Sequence, residues 1–201
     1  MEHRVHTVMD SPVGTLTLVA TEDILTGLYM DLQRHRPLEE TFGARDGTPF
    51  TEVIRQLEEY FAARRTEFDV LVTLAGSPFQ RAVWAALRDI PYGETASYGQ
   101  LAERIGRPTA VRAVGLANGR NPISIIVPCH RVVGATGDLT GYGGGLERKQ
   151  YLLEFEQSSA ARTRRPSRRW ASAPGNDVRE HRVDDRGIIE QSDADGVLGI
   201  R

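Results

Sequence analysis

The sequence predicts an α+β protein, a small N-terminal antiparallel-sheet α/β domain followed by a mainly helical C-terminal domain with a winged-helix-like helix-turn-helix. Three observations carry this reading. Residues 3–9, 14–20 and 24–30 are short β-rich or alternating segments separated by turn sequences. From Ser77 onward the pattern changes to short helical periods, two of them opened by Ser-x-x-Gln signatures. A length of 201 residues with 40% hydrophobic content suffices for one large or two small domains, and Ala75-Gly76 is the expected boundary.

Taken in order, Ser11-Pro12-Val13-Gly14 and Glu22-Asp23 supply the turns of an antiparallel meander. Residues 34–47 are polar and loop-like. Thr48 then reads as an N-cap with Pro49 at the first helical position, and Phe50, Val53, Ile54, Leu57, Tyr60 and Phe61 form the apolar face. Residues 68–74 read as a further strand. Ser77-Pro78-Phe79-Gln80 is a capping box whose helix turns Phe79, Val83, Trp84 and Leu87 inward and ends near Ile90-Pro91-Tyr92-Gly93. Ser97-Tyr98-Gly99-Gln100 repeats the signature and opens a helix through Ile105. After the turn Gly106-Arg107-Pro108, residues 109–118 form a second short helix, the spacing of a helix-turn-helix. On that second helix Ala110, Val111, Ala113, Gly115 and Ala117 are small, and Arg112 is the one long cation. Small residues let a helix approach a surface closely; they equally suit packing against the first domain, with Arg112 solvated. Residues 146–156 read as a last helix. The expected division is 1–75, 76–157, and an arginine-rich tail at 158–201 too poor in large apolar residues to order itself.

Composition narrows the function classes. No apolar run reaches the roughly 18 residues of a membrane span, and Met1-Glu2-His3-Arg4 does not open a secretory signal, so no membrane role and a cytoplasmic location are expected. The single cysteine excludes an intrachain disulfide and a multi-cysteine zinc site, and it fits a reducing compartment. The first 75 residues hold 7 arginines against 13 acids, net −6, while 76–157 and 158–201 are each +2. A polyanionic partner would therefore meet the second half.

The chemistry concentrates in Asn121-Pro122-Ile123-Ser124-Ile125-Ile126-Val127-Pro128-Cys129-His130-Arg131. An apolar β-branched run delivers Cys129, Pro128 ends it, and a glycine-rich loop follows (Gly134, Gly137, Gly141, Gly143, Gly144, Gly145). A free cysteine is usually a small buried hydrophobe. His130 and Arg131 are adjacent groups that would favour the thiolate, which makes Cys129 a candidate nucleophile.

These residues, with Pro91-Tyr92-Gly93-Glu94-Thr95, Ser97-Tyr98, Arg112-Ala113-Val114-Gly115 and Gly141-Tyr142-Gly143-Gly144-Gly145 in the same order and spacing, resemble the O6-alkylguanine-DNA alkyltransferases. The likeness is strong from about Phe79 to Glu156, looser before that and absent from the tail. It implies a ribonuclease-H-like N-terminal domain. It also implies irreversible, single-turnover transfer of an alkyl group from guanine O6, and from thymine O4, to Cys129, with no cofactor and no metal. His130 would accept the thiol proton through a water, Glu156 would orient His130, and Asn121 would brace the turn, the nucleophile–base–orienter logic. Tyr98 would donate to guanine N3 and the Gly143 N–H would face O6. The carbonyls of Cys129 and Val132 would accept the exocyclic amine, and Tyr142 would line the alkyl pocket. Duplex DNA carrying the lesion would be the partner, held through its minor groove by Ala110, Ala113 and Gly115, with Arg112 filling the gap left by the flipped base. A monomer is expected, with cooperative clustering on DNA left open. The competing classes are a noncatalytic protein that binds or senses alkylated DNA, and an unrelated cysteine hydrolase.

Overall fold

The computed structural model describes residues 3–163 and the two-residue strand at 188–189. Strands β1 (Arg4–Met9), β2 (Leu16–Thr21) and β3 (Ile24–Met30) form the expected antiparallel meander, with Arg4 opposite Thr21 and Leu16 opposite Met30. A bulge between Val19 and Ala20 re-aims β2. Both faces of β2 are covered: Leu16, Leu18 and Ala20 enter the main core, while Val19 packs with Tyr29 and Phe42 on the other side.

The sheet is mixed, not purely antiparallel as the sequence suggested. Strand β4 (Ala44–Arg45) runs parallel to β1, and β5 (Val72–Thr73) runs parallel to β3. The chain reaches β5 through helix α1 (Thr51–Phe61), and a strand joined to its neighbour through a helical crossover lies parallel to it. The strand expected over 68–74 shrinks to two residues. At Asp69 the side chain of Gln56 takes the place of a ladder partner, donating to the Asp69 carbonyl and accepting from its N–H at 2.8 Å each. Thr48 is not a helix cap either. Residues Thr48–Phe50 form a 3-10 turn, the carboxylate of Asp46 accepts the Thr48 N–H at 2.8 Å, and α1 starts one turn later.

In the second half, α2 (Pro78–Arg88) and α3 (Tyr98–Arg104) both start on complete capping boxes. Gln80 and Gln100 donate their backbone N–H to Ser77 and Ser97 Oγ, and their side chains accept the serine N–H in return. Helices α3 and α4 (Val111–Gly119) pack as the helix-turn-helix pair. Strands β6 (Ala96–Ser97) and β7 (Val132–Val133) pair in parallel and lie either side of that unit in sequence.

Helix α5 (Leu146–Thr163) continues past Glu156, where the sequence pattern ended it, so residues 158–163 are helix and not tail. Its additional turns pack on the Pro91–Gly93 bend: Gly93 has φ +77°, and a Cβ there would stand 2.9 Å from that of Ala160. A second departure from the expected tail is β8 (Ile188–Ile189), which pairs antiparallel with β5. The remaining tail residues lie outside the described ones.

One apolar core runs through both halves, from Leu28, Leu57 and Tyr60 to Trp84, Val114, Val127 and Leu152. Two connections place the reactive segment. Leu28 donates its N–H to Pro122 O (2.9 Å) and accepts from Ser124 N–H (3.0 Å), so residues 122–124 extend the sheet along the edge of β3. From α1, the fully buried Tyr60 hydroxyl donates to Glu156 Oε1 on α5 at 2.8 Å. Tyr60→Phe keeps the ring and removes one donor from a buried carboxylate. It should lower unfolding free energy by about 1.5–3 kcal/mol in urea titration.

Candidate active site

Cys129 begins a 3-10 turn, Cys129–Arg131, at the end of an irregular segment whose backbone is held from inside by Asn121. Asn121 is buried; its Nδ2 donates to Val127 O (2.7 Å), Ile123 O (3.3 Å) and Cys129 Sγ (3.0 Å), and its Oδ1 accepts the Ile123 N–H (3.0 Å). Within this segment Ile125 sits at φ +71°, a region that β-branched residues rarely enter. Strain of that kind persists only where the surroundings over-determine it, and here the Asn121 hydrogen bonds and the pairing with β3 do so.

The thiol itself is buried, and burial pushes its pKa up to about 11 against the opposing pull of the Asn121 donor and the Lys149 ammonium. That corrects one expectation: His130 and Arg131 do not make Cys129 a resting thiolate. His130 is fully buried, and burial lowers its pKa, so the ring is neutral at pH 7. Arg131 turns away from the sulfur. Its Nε and Nη2 donate to Glu156 Oε2 (2.8 Å) and Oε1 (2.9 Å), and its Nη1 donates to Ile90 O (2.6 Å).

Glu156 is fully buried and accepts five hydrogen bonds: two from Arg131, and one each from Tyr60, His130 Nε2 (3.0 Å) and the Gly93 N–H (3.1 Å). Burial opposes its ionisation, yet the His130 hydrogen bond and the Arg131 guanidinium outweigh it and hold the carboxyl well below its ordinary range. An ionised carboxylate can only accept, so the hydrogen between it and His130 sits on Nε2. The other ring nitrogen, Nδ1, is then the acceptor; it is buried and has no hydrogen-bond partner among the described residues.

Lys149, which the sequence reading did not place in the site, is also fully buried; its Nζ donates to Val132 O (2.6 Å) and Thr140 O (2.7 Å). Burial lowers its pKa to about 8, against the pull of the nearby Cys129. The two carbonyls assigned by resemblance to the guanine amine thus already have donors, Val132 O from Lys149 and Cys129 O from Asn118 Nδ2 at 3.3 Å. A carbonyl has two lone pairs, so Val132 O retains capacity beside Lys149, whereas Cys129 O also accepts the Val132 N–H and would have to exchange the long Asn118 bond for the guanine amine.

Facing the thiol is the glycine loop. The half-buried Tyr98 hydroxyl reaches Thr140 O and Gly141 O at 3.4 Å, and the Gly143 carbonyl accepts the Arg34 N–H at 2.7 Å. Tyr142 is half-buried, and proximity to Cys129 adds to the burial that raises its pKa. On α4, Arg112 and Ala113 are exposed and Ala110 is half-buried. Gly115 is half-buried, and a Cβ there would lie 3.7 Å from the Tyr98 ring. The exposed face also includes Val111 and, 65% exposed, Leu116, which the sequence reading passed over. Among the described residues, no group of three or more His, Cys, Asp or Glu side chains could hold a metal ion.

Two family models match in tandem. Residues 5–74 match the ribonuclease-like domain of 6-O-methylguanine DNA methyltransferase, and residues 78–158 match its DNA-binding domain. This chain belongs to the 6-O-methylguanine DNA methyltransferase family. It is 56% identical over 149 residues to a methylated-DNA–protein-cysteine methyltransferase of Mycolicibacterium paratuberculosis, which spans 74% of this chain and 90% of the relative. An enzyme of the same name from Methanosarcina acetivorans is 47% identical over 155 residues, 76% of this chain and 98% of the relative. The crystal structure of Mycobacterium tuberculosis OGT in complex with DNA superposes with a TM-score of 0.73 at 54% identity, covering 77% of this chain and 94% of that one. The DNA-binding-domain match of this methyltransferase-family chain ends at residue 158, before the end of α5, so the β5–β8 pairing lies outside it.

The thiol's environment has a testable sign. Asn121 donates to the sulfur and so favours the thiolate; Asn121→Ala should raise the Cys129 pKa further. Carbamidomethylation of the folded wild type by iodoacetamide should climb steeply between pH 8 and 11, and the variant's curve should be displaced to higher pH.

Proposed function

We propose that this protein repairs alkylated DNA by direct reversal, moving the alkyl group from guanine O6 to Cys129 in one stoichiometric step. The observation that carries this reading is the arrangement at the turn: a buried thiol with an amide donor on its sulfur, next to a neutral histidine whose Nε2–H is committed to a buried carboxylate.

At pH 7 a thiol of pKa near 11 is ionised in only about one part in ten thousand, so the nucleophile has to be generated in place. The thiol proton passes toward Nδ1 of His130, and Glu156 stabilises the imidazolium through its existing bond to Nε2. The sulfur then attacks the alkyl carbon, the C–S bond forms, and the C–O6 bond breaks with its electron pair leaving on guanine. Tyr98 neutralises that charge by donating at N3. The product is a thioether, which no group in the site can cleave, so the protein acts once.

DNA is the partner. Presentation of the lesion requires the base to leave the duplex. The exposed Arg112 and Ala113 of α4 face the minor groove, with Arg112 entering the vacated stack. Leu116, on the same exposed face, adds apolar contact to the sugar edges. The two matched regions act as one body, because the core and the Tyr60–Glu156 bond run across their boundary.

Intact mass before and after incubation with a duplex carrying O6-methylguanine tests the reading. The wild type should gain one methyl group per chain and stop there, whereas Cys129→Ser should bind the duplex and gain nothing. Reduced, folded wild-type protein that binds the duplex without a mass change would instead support a noncatalytic damage-binding role.

A further inference from the structure

The N-terminal sheet reaches into the site at one point that the mechanism does not use. Met30, the last residue of β3, is fully buried, and its Sδ lies 3.9 Å from the Tyr142 hydroxyl. The same sulfur closes on the glycine loop: a Cβ added to Gly144 would stand 2.6 Å from Met30 Sδ and 2.8 Å from Tyr142 Cε1. One thioether is therefore wedged between the Tyr142 ring and the loop that carries it.

The residues after Met30 clamp that loop. Gln33 Oε1 accepts the Met30 N–H (3.0 Å) and the Ser124 hydroxyl (3.1 Å), which joins the end of β3 to the reactive segment. Arg34 N–H donates to Gly143 O (2.7 Å), and from the other side Arg148 Nη1 donates to Asp31 O (2.6 Å). With the loop backbone fixed by these bonds, the Tyr142 ring is free to move only as far as Met30 allows. A thioether is a weak acceptor on an unbranched, adaptable side chain, so it limits the ring chiefly by volume.

We propose that Met30, a residue of the N-terminal domain, determines how large an alkyl group Cys129 can accept, by setting the position of Tyr142 against the glycine loop. The proposal rests on the alkyl-transfer reading above and makes Met30 a positioning residue: it touches Tyr142, not the substrate. Shortening its side chain opens space behind Tyr142 and relieves crowding of a bulky group. A methyl group, which needs no such space, is transferred as before.

The test is single-turnover transfer from duplexes carrying O6-methylguanine or O6-benzylguanine to wild type, Met30→Ala, Met30→Leu and, if the alanine variant does not fold, Met30→Val. Differences of one or a few methylenes in an apolar pocket change rates by about 10-fold or more. The benzyl-to-methyl rate ratio should therefore rise about tenfold in Met30→Ala and by a smaller factor in Met30→Val. It should stay within about twofold of wild type in Met30→Leu, which keeps the volume. A folded Met30→Ala or Met30→Val protein in which both rates fall together, leaving the ratio unchanged, overturns the proposal and leaves Met30 as core packing. Absence of transfer from the methyl duplex to wild type would defeat the alkyl-transfer reading itself, an outcome distinct from an unchanged ratio.

Discussion

The Glu156 carboxylate is the point on which the rest of this structure depends. Taking an ionised carboxylate out of water costs several kcal/mol unless charge and hydrogen bonds replace the lost hydration, and here five donors do so. Those donors come from α1, the Pro91–Gly93 bend and the Cys129–Arg131 turn, all converging on one residue of α5. The same contacts therefore stabilise the fold, join its two halves and fix the tautomer of the histidine next to the nucleophile. Because Arg131 is committed to this carboxylate and to Ile90 O, its charge is neutralised locally and not spent on the sulfur.

That arrangement explains how a strong nucleophile can be kept inactive until it is needed. Burial keeps Cys129 protonated, and the only side-chain donor to its sulfur is a neutral amide among the described residues. A resting thiolate would react with any small electrophile that reached it, and in a protein that acts once such a loss is permanent. Protonation at rest confines reactivity to the moment when a base occupies the pocket and the proton has a path to His130. Lys149 stabilises the walls of that pocket by joining Val132 to Thr140, and its ammonium only partly offsets the burial that keeps the thiol protonated.

What was legible in the sequence was local. The capping boxes at Ser77 and Ser97 involve partners three residues apart, and both helices start where those signatures lie. The meander was legible because turn residues and alternation are local too. The reactive segment was legible through a resemblance spread over several motifs in register. Features set by distant partners were not. Nothing near Asp69 signals that Gln56 will substitute for a strand, whereas the Asp46 carboxylate two residues before Thr48 was a local signal that the reading of Thr48 as a cap overlooked. Arg131 looked like an activator of Cys129 because the two are neighbours in sequence, whereas its partner lies 25 residues on. A general argument was available, that a glutamate on the inner face of a helix needs a cation, but Lys149 and Arg162 lie nearer to Glu156 in the sequence than Arg131 does. Lys149 offered a similar signal as the one lysine among 25 Lys and Arg residues, between the glycine loop and the apolar face of α5.

The central claim is that burial keeps His130 neutral at rest while the carboxylate fixes its hydrogen on Nε2, leaving Nδ1 open to receive the thiol proton. Nitrogen chemical shifts of the ring in protein labelled with 15N-histidine report this directly, with His130→Gln to assign the signals among the five histidines. At pH 7 the account predicts a neutral His130 ring with a protonated Nε2 and an unprotonated Nδ1. The ring should gain a second proton only as the pH falls below the ordinary histidine value of about 6.5. A doubly protonated ring at pH 7, or a neutral ring with its hydrogen on Nδ1, would contradict it.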